Sequence, residues 1–480
     1  MSGKKIVRTR MAPSPTGEYQ IGNMRTLLYN YAFARKNKGQ FIIRIEDTDR
    51  KRLVAGAQER MFEVIRDYGF DWDEGPKKGG KYGPYIQTER LGIYKKYTDQ
   101  LIKNGFAYCC FCSEERLDEM RKSQKADGKL PKYDRKCLQL SKSEVEKRLK
   151  AGEKYVIRMK VPDNEVIVWT DFIRGKISVP SKDIDDQVLI KSDGIPTYHF
   201  AVVIDDHLME ISHIMRGQAW IPSTPKQVIL YKCFGWNIPV FAHLTDLMDP
   251  ERRGKISKRH GSWSARNFLN DGYLPEALLN FLMLLGWNPG DEREFFSLDE
   301  FIEEFSLERL HKKAPAFDRK KLDYFNKHYI QKKSDKELAK LLKTFLPKVD
   351  DEILLYLAPL LKERITRLSD AVELTKFLFE EIKYDKEMLL QRGATKELVT
   401  EMMDKTTELL KETKNWDDVV NIQNKLLELI KKNNWNTGQY FMVFRVALSG
   451  QKITPPIVEC LPILGRDKTI KRLERAVNTL

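Results

Sequence analysis

A short loop that contains Pro13, Pro15 and Gly17 constrains the fold of the N-terminal part of this chain. Ile6 and Val7 predict a strand just before the loop, and the pattern after it predicts a long amphipathic helix that begins near Ile21. Backbone N–H groups of such a loop, together with the positive end of the helix dipole, can hold phosphate. We therefore expect the chain to begin as a nucleotide-binding α/β domain.

The following segments continue the alternation of strands and helices. Strands are predicted at Phe41–Ile45, Val188–Ile190 and Ala201–Ile204, and strands joined by helices at this spacing indicate a parallel sheet. The helices of the first part are predicted from apolar residues on one face, which are Leu27, Leu28, Tyr31 and Ala32, then Met61, Val64, Ile65 and Tyr68.

Two later regions have a different pattern. From about residue 106, a cysteine cluster, a charged segment and strand-like residues 155–161 indicate an inserted α+β module, and Pro275 begins an apolar helix. After about residue 329 the apolar residues recur at helical spacing. The predicted fold is an α/β Rossmann-type domain with this insertion, followed by an all-α C-terminal lobe. The first and second halves of the Rossmann-type domain are predicted at 1–105 and 191–245, with the insertion between them at 106–190. A region of loops and helices is predicted at 246–328, and the all-α lobe at 329–480.

Composition narrows the class of partner and the compartment. The formal net charge of +15 over 480 residues favours a polyanionic partner. No segment reaches about 18 consecutive apolar residues, so we expect no membrane span, and the N-terminus has no apolar signal core. The cysteines at 109, 110, 112 and 137 lie close together, which is typical of metal chemistry rather than a disulfide framework. We expect a cytoplasmic protein.

Two motifs carry a family resemblance over nearly the whole chain. Residues 8–23 (RTRMAPSPTGEYQIGN), with RIEDTD at 44–49, resemble the first signature of glutamyl-tRNA synthetases, a class I aminoacyl-tRNA synthetase family. The basic segment 255–259 (KISKR) resembles the second signature of that class. Two lysines on a loop can neutralise charge that develops as pyrophosphate leaves.

The resemblance implies an activity and its partners. A bacterial-type enzyme of this family forms glutamyl-adenylate from L-glutamate and ATP with Mg²⁺, and then transfers the glutamyl group to the 3′-terminal adenosine of tRNA(Glu), at the 2′-hydroxyl. It also implies that tRNA binds before activation, and that the all-α lobe binds the anticodon; basic stretches such as residues 362–367 would then contact RNA. We expect a monomer.

The resemblance also assigns site residues. Arg10 and Arg216 would face the substrate carboxylates, because a guanidinium matches carboxylate geometry, and Glu46 would hold the ammonium group. The implied glutamate-binding residues are Arg10, Ala12, Ser14, Glu46, Arg52, Tyr198 and Arg216. The implied ATP-binding residues are Pro13, Gly17, Gln20, Gly22, Asn23, Lys255, Ser257 and Lys258. The implied catalytic residues are Gln20, Asn23, Lys255 and Lys258.

Three departures from the family pattern leave alternatives open. Gln20 stands where the class has the first histidine of its His-Ile-Gly-His-type motif, and Gln218-Ala219 replace an acidic pair. One alternative is a relaxed enzyme that also charges tRNA(Gln), and another is a catalytically impaired RNA-binding paralogue. A third, an enzyme that glutamylates a modified tRNA base, normally lacks the all-α lobe.

The cysteine cluster has two interpretations. Cys110, Cys112 and Cys137 have the spacing of a zinc site in some bacterial members, with Tyr133 as a fourth ligand, as in related enzymes that use three cysteines and a tyrosine. The third departure lies here, because Gln139 occupies the place of the usual histidine ligand. The cluster is therefore either a structural zinc site or a set of free thiols left from a lost site.

Overall fold

The computed structural model describes residues 6–251, 254–256, 263–383, 385–390 and 393–480. Its contacts divide the chain into an N-terminal unit, Met1–Phe268 with Leu278–Arg319, and a helical unit, Leu269–Ala277 with Lys320–Leu480. The segment Leu269–Ala277 thus belongs with the C-terminal helices although it lies far from them in sequence. The finer division into five segments stays a prediction.

A βαβ element opens the N-terminal unit, as the sequence predicts. Strands β1 (Arg8–Met11) and β2 (Gln40–Ile43) pair in parallel, and helix α1 (Ile21–Lys36) joins them. The apolar face predicted for α1 is fully buried.

The first strand lies two residues later than its predicted position at Ile6 and Val7. The residues of β1 are mainly polar and yet all buried. They can be buried because Arg8 forms an ion pair with Glu74 and Arg10 forms one with Asp206. A pattern of apolar residues cannot reveal a strand whose side chains are buried by ion pairing.

A second sheet continues the unit in the order β6-β5-β9-β8. Strand β9 is parallel to both β8 and β5, whereas β5 and β6 form an antiparallel pair. The carbonyl of Arg8 accepts a hydrogen bond from the backbone N–H of Ser212 (3.0 Å), so β1 lies beside β8. The bounds are β5 Val166–Asp171, β6 Gly175–Pro180, β8 His213–Gly217 and β9 Val240–Leu244.

The insertion contains an antiparallel sheet and two helices. The strands β3 (Ala107–Cys110), β4 (Val156–Met159) and β7 (Val188–Ile190) pair in that order, so strands occur in both segments for which the sequence predicts them. Helices α4 (Glu114–Ala126) and α5 (Lys142–Lys150) lie between β3 and β4 in sequence.

The strand predicted at Ala201–Ile204 is wrong. These residues lie in helix α6 (Tyr198–Leu208), where Phe200 to Asp206 are all buried. A helix buried on every side is a continuous apolar run, and such a run cannot be told from a buried strand by its period.

The other elements before Arg319 are helices α2, α3, α7, α8, α9 and α10 and a short hairpin, β10 and β11. The end of α8 and the start of α9 fall within Leu269–Ala277 and so belong to the helical unit. Both predicted helices, the one containing Met61 and the one that Pro275 begins, are confirmed. The bounds are α2 Ala57–Asp67, α3 Leu91–Lys103, α7 Thr224–Cys233, β10 Met248–Asp249, β11 Gly254–Lys255, α8 Ala265–Asn270, α9 Pro275–Leu284 and α10 Leu298–Glu304.

The helical unit contains helices and no strand among its described residues, as predicted for the C-terminal lobe. Its apolar faces form one core that includes Leu274 from the distant segment. The bounds are α11 Arg319–Lys332, α12 Asp335–Leu342, α13 Asp351–Lys362, α14 Asp370–Phe379, α15 Lys386–Leu389, α16 Lys396–Glu412, α17 Val419–Lys432, α18 Thr437–Ser449, α19 Leu461–Leu464 and α20 Arg466–Thr479.

Gly272 anchors the distant segment in the helical unit. Its φ is +88°, and a Cβ at this position would lie 2.5 Å from the backbone nitrogen of Ser369. The carbonyl of Gly272 accepts a hydrogen bond from the Leu368 N–H (3.0 Å), while Asn326 Oδ1 accepts one from the Leu274 N–H (2.8 Å). Only glycine allows this close approach of two backbones.

No helix among the described residues is long and apolar enough to cross a membrane.

Candidate active site

A cavity of about 430 Å³ opens in the N-terminal unit at the carboxyl ends of β1 and β8. This edge of parallel strands is where α/β proteins bind ligands. Nine of the residues singled out in the sequence line the cavity, which are Arg10, Ala12, Pro13, Ser14, Asn23, Glu46, Arg52, Tyr198 and Arg216.

A buried ionic network forms the floor of the cavity. Arg10 donates to both carboxylate oxygens of Asp206 (3.1 and 3.3 Å), and Arg44 Nη1 lies 2.8 Å from Asp206 Oδ1. Although burial opposes it, Arg10 and Arg44 hold the pKa of Asp206 below its usual value. The charge of Arg10 is therefore already balanced inside the protein.

Glu46 follows β2 and faces the same cavity. Its Oε1 accepts a hydrogen bond from Arg44 Nη2 (2.9 Å), and its side chain is 3% exposed. Burial raises the pKa of Glu46 to about 7, against the opposing effects of Arg44 and Arg10. An ammonium group placed beside this carboxylate would favour its ionised form.

Arg216, the fourth residue of β8, has a different environment. Its guanidinium donates to two neutral groups, His243 Nε2 (3.0 Å) and Thr224 Oγ1 (2.9 Å). Its Nη1 is buried and has no hydrogen-bond partner among the described residues. Burial lowers the pKa of Arg216, because the desolvated cation has no carboxylate in contact with it in the described part of the chain. This arginine can pair with an anionic ligand.

Two aromatic residues close one side of the cavity. Tyr198 begins α6, and its ring lies 4.4 Å from the ring of Trp220 at an angle of 30°. Burial raises the pKa of Tyr198 to about 12, so its hydroxyl keeps its proton at neutral pH. Arg52, by contrast, is 71% exposed and lies 3.8 Å from Asp49, so it belongs to the rim rather than to the floor.

The proline-containing loop leads into α1 as predicted. Gly17 has a φ of 125°, which favours glycine, and the first turn of α1 has no acidic residue that would repel an anion. Gln20 is the N-cap residue of α1, and its side-chain amide donates to the carbonyl of Glu18 (3.1 Å) instead of capping the helix. Gly17, Gln20 and Gly22 are not among the residues that line the cavity.

The second signature is described only in part. Lys255 lies in β11, where its Nζ forms an ion pair with Asp246 Oδ1 (2.7 Å), and it does not line the cavity. Asp246 also accepts a hydrogen bond from Gln218 (2.9 Å), one of the residues that depart from the family pattern. Ser257 and Lys258 lie outside the described residues.

The cysteine cluster is brought together in the insertion. The Sγ atoms of Cys110, Cys112 and Cys137 lie within 4.8 Å of one another, and those of Cys112 and Cys137 are 3.5 Å apart. The hydroxyl of Tyr133 lies 3.3 Å from Cys110 Sγ and 3.4 Å from Cys112 Sγ. These four groups lie close together, whereas the side chain of Gln139 forms no hydrogen bond with any of them among the described residues.

Hydrogen bonding within the cluster favours a thiolate at Cys110. The contact with Cys137, with further donors around it, lowers the pKa of Cys110, and the same contact raises the pKa of Cys137. The guanidinium of Arg158 lies 4.1 Å from the Tyr133 ring centre, and Arg116 Nη1 donates to Cys112 Sγ (3.3 Å). A cluster in which a thiolate is stable before any ion binds can ligate a soft divalent cation.

Sequence reasoning missed eight residues that line the cavity. Trp220 lies four positions after the recognised Arg216, but an aromatic residue after a strand carries no specific signal. The eight residues are Met11, Thr16, Thr26, Thr48, Asp49, Met215, Gly217 and Trp220. It also missed Asp206, which pairs with Arg10, and Thr224 and His243, which accept hydrogen bonds from Arg216. All three lie on elements other than those of the arginines.

Comparisons with known proteins identify the family of the chain. Residues 6–324 match the family model "tRNA synthetases class I (E and Q), catalytic domain", and residues 307–477 match "Anticodon binding domain". The glutamate--tRNA ligase of Finegoldia magna is 42% identical over 98% of this chain and 99% of its own length. That of Borrelia recurrentis is 42% identical over 99% of this chain and 96% of its own length.

Solved structures agree as well. A glutamate tRNA ligase from Elizabethkingia meningosepticum, crystallised in complex with its amino acid, covers 99% of this chain and 100% of its own, with 38% identity and a TM-score of 0.89. The glutamate-tRNA synthetase of Elizabethkingia anophelis has 37% identity and a TM-score of 0.87 over 98% of this chain and 100% of its own. The chain belongs to the class I tRNA synthetases specific for glutamate and glutamine, and within them to the glutamate--tRNA ligase family.

Proposed function

We propose that this protein ligates L-glutamate to the 3′ end of tRNA(Glu) through glutamyl-adenylate. The observation that carries the proposal is the cavity, which is lined by a buried cation, Arg216, with no carboxylate in contact among the described residues, and by a buried carboxylate, Glu46. An amino acid with an acidic side chain carries the complementary charges, and the family supplies ATP and tRNA as the other substrates.

Each end of glutamate then has a place. Arg216 would bind the side-chain carboxylate, because removal from water makes an unpaired guanidinium favour a carboxylate over a neutral amide. Glu46 would bind the α-ammonium group. Arg10, balanced by Asp206, would donate to the substrate through nitrogens that the ion pair leaves free, and Tyr198 would contact the amino acid from the side. Ala12, Ser14 and Arg52 complete this assignment.

The ATP site would lie over the start of α1. Pro13, Gly17, Gly22 and Asn23 would leave room for the nucleotide, which enters as its Mg²⁺ complex, and the helix dipole would stabilise its phosphates. Gln20 and Lys255, with Lys258 and Ser257 of the second signature, would donate to the phosphates as charge develops on the departing pyrophosphate. For this, Lys255 must leave Asp246.

Zinc fits the cluster in the insertion. A tetrahedral zinc with three thiolates places its sulfur atoms about 3.8 Å apart, which agrees with the sulfur separations in the structure. We propose that Cys110, Cys112, Cys137 and Tyr133 hold one structural Zn²⁺ that stabilises the insertion. The cytoplasmic location and the monomeric state expected from the sequence stay predictions.

The decisive experiment compares two tRNAs and two amino acids. Wild type should attach labelled glutamate to tRNA(Glu), whereas Arg216→Gln should lose glutamate activation by on the order of 100-fold or more because the substrate carboxylate is left unpaired. The KM for ATP should change by less than about threefold, since Arg216 contacts no phosphate in this assignment.

Three other outcomes would each contradict a part of the proposal. Attachment of glutamate to tRNA(Gln) as well would establish the relaxed enzyme. Absence of pyrophosphate exchange with tRNA present would establish the impaired RNA-binding paralogue. Equal activity of wild type and Arg216→Gln would remove Arg216 from the substrate site while leaving the ligase activity itself established.

A further inference from the structure

Behind Arg216 lies a chain of fully buried polar groups that ends at Asp171, the last residue of β5. Arg216 Nε donates to His243 Nε2 (3.0 Å), and on the other side of the ring His243 Nδ1 lies 2.6 Å from Asp171 Oδ2. Both His243 and Asp171 are 0% exposed. The two residues come from the neighbouring strands β9 and β5, so the sheet itself fixes their separation.

The hydrogen bonds define which nitrogen of His243 carries the proton. A guanidinium N–H can only donate, so Nε2 must accept from Arg216 and Nδ1 must carry hydrogen and donate to Asp171. Burial lowers the pKa of His243, which keeps this ring neutral. The tautomer therefore depends on the carboxylate of Asp171.

Asp171 is itself held from four directions. Its Oδ1 accepts the backbone N–H groups of Ile173 (3.0 Å) and Arg174 (2.9 Å), and its Oδ2 accepts the backbone N–H of His243 (3.1 Å) as well as the ring. Although burial opposes it, hydrogen bonding to His243 lowers the pKa of Asp171. An ionised carboxylate in this position has no freedom to turn away from the ring.

We propose that Asp171 and His243 are positioning residues that hold Arg216 in the cavity through a neutral contact and so set the preference for glutamate over glutamine. Arg10, which touches Asp206 directly, shows the contrast, because its charge is satisfied within the protein. This relay, from Asp171 through His243 to Arg216, fixes the position of the guanidinium, and because the ring is neutral the positive charge stays available for the substrate carboxylate. This inference rests on the proposed role of Arg216 as the ligand of the substrate side chain.

The variant Asp171→Asn tests the relay with almost no change of volume. The amide would keep Oδ1 as acceptor for the two turn N–H groups and would place its NH₂ group against the ring. The NH₂ group would also face the backbone N–H of His243, which lowers stability whatever side chain stands at 243. His243 would then carry its proton on Nε2, opposite the Arg216 N–H, and two donors would face each other. Arg216 should be displaced from the cavity.

The readout is the ratio of kcat/KM for glutamate to that for glutamine in ATP–pyrophosphate exchange, with full-length protein and tRNA(Glu) present. Asp171→Asn should lower this ratio by at least about tenfold and should raise the KM for glutamate, with the KM for ATP changed less than about threefold. His243→Gln should keep the ratio within about threefold of wild type, because a glutamine oxygen can replace Nε2 as acceptor.

A double-mutant cycle separates the tautomer effect from a general loss of stability. In the His243→Gln background no tautomer exists, so Asp171→Asn should change the ratio by less than about threefold. Equal effects of Asp171→Asn in both backgrounds, or an unchanged ratio in the single variant, would overturn the proposal. If Asp171→Asn does not fold, His243→Leu must lower the ratio at least about tenfold relative to His243→Gln, and equal ratios overturn the proposal.

Two controls complete the design. His213→Gln replaces the histidine at the start of β8, which pairs with Ser212 and not with Arg216, and should leave the ratio unchanged. Arg216→Gln separates the two levels of inference. If it keeps the preference for glutamate, the proposed role of Arg216 is wrong. If it loses the preference while Asp171→Asn does not, only the relay is wrong.

Discussion

Gln20 replaces a histidine at the start of α1, and the consequence can be tested directly. Glutamine and neutral histidine both offer an N–H donor, so the amide can bind phosphate once it leaves the Glu18 carbonyl. Gln20→Ala should slow adenylate formation by roughly 10- to 1000-fold, the scale for removing one such donor. Single-turnover formation of glutamyl-adenylate with tRNA bound measures this rate.

The matched variant is Gln20→His, which restores the residue of the class. It should remain active, since its ring also donates to phosphate. The prediction fails if Gln20→Ala is as fast as wild type. If wild type shows no tRNA-dependent ATP–pyrophosphate exchange and Gln20→His restores this exchange, the protein is a decayed synthetase.

At the residue scale, the sequence predicts the charged residues of the cavity better than it predicts the residues that pair with them. Arg10 and Glu46 could be named because they stand in motifs, Arg216 because the family resemblance implies it, and all three line the cavity. Asp206 and His243 could not, because their role depends on distant elements that approach only in the folded chain. A buried ion pair is a tertiary property, and no local pattern encodes it.

At the scale of elements, the proposed zinc site of the insertion can be tested through its four sulfur and oxygen groups. Cys137→Ser should abolish zinc binding and lower the melting temperature, because metal binding contributes to the folding free energy of such a module. ATP binding should persist, since none of the four groups lines the cavity. Metal analysis of protein purified without chelator should give about one zinc per chain.

Cys233→Ser is the matched control, because Cys233 is a half-buried free thiol on α7 outside the cluster. It should bind zinc as wild type does. A zinc content near zero in wild type would show that the site has been lost, in keeping with the glutamine at 139.

The elements themselves differ in how far they could be predicted. The helices of the C-terminal lobe were predictable because one apolar stripe recurs at helical spacing in each. Helix α6 and strand β1 were not, for opposite reasons: α6 is apolar on every side, and β1 buries arginines. The affiliation of Leu269–Ala277 with the helical unit follows from contacts with residues about 50 to 100 positions away, which no local pattern contains.

At the scale of the whole molecule, the net charge of +15 predicts salt-dependent binding of tRNA. Within the basic stretch at 362–367, Lys362 pairs with Asp335 and Arg367 lies 3.6 Å from Asp370, so part of its charge is balanced internally. Arg364 is exposed and is in no ion pair among the described residues. It is the cation of this stretch best suited to contact a phosphate.

The tRNA affinity of the full-length chain should therefore fall linearly with the logarithm of salt concentration. Arg364→Gln should weaken binding and reduce that slope by about one unit, as expected for the loss of one phosphate contact. Lys95→Gln, whose lysine is paired with Asp99 on α3, is the matched control and should leave the slope unchanged. Truncation after residue 328 should flatten the slope much further and remove discrimination by anticodon, although it also strips Leu269–Ala277 of its core. An unchanged slope in both the point variant and the truncated chain would show that the helical unit does not bind tRNA through its phosphates.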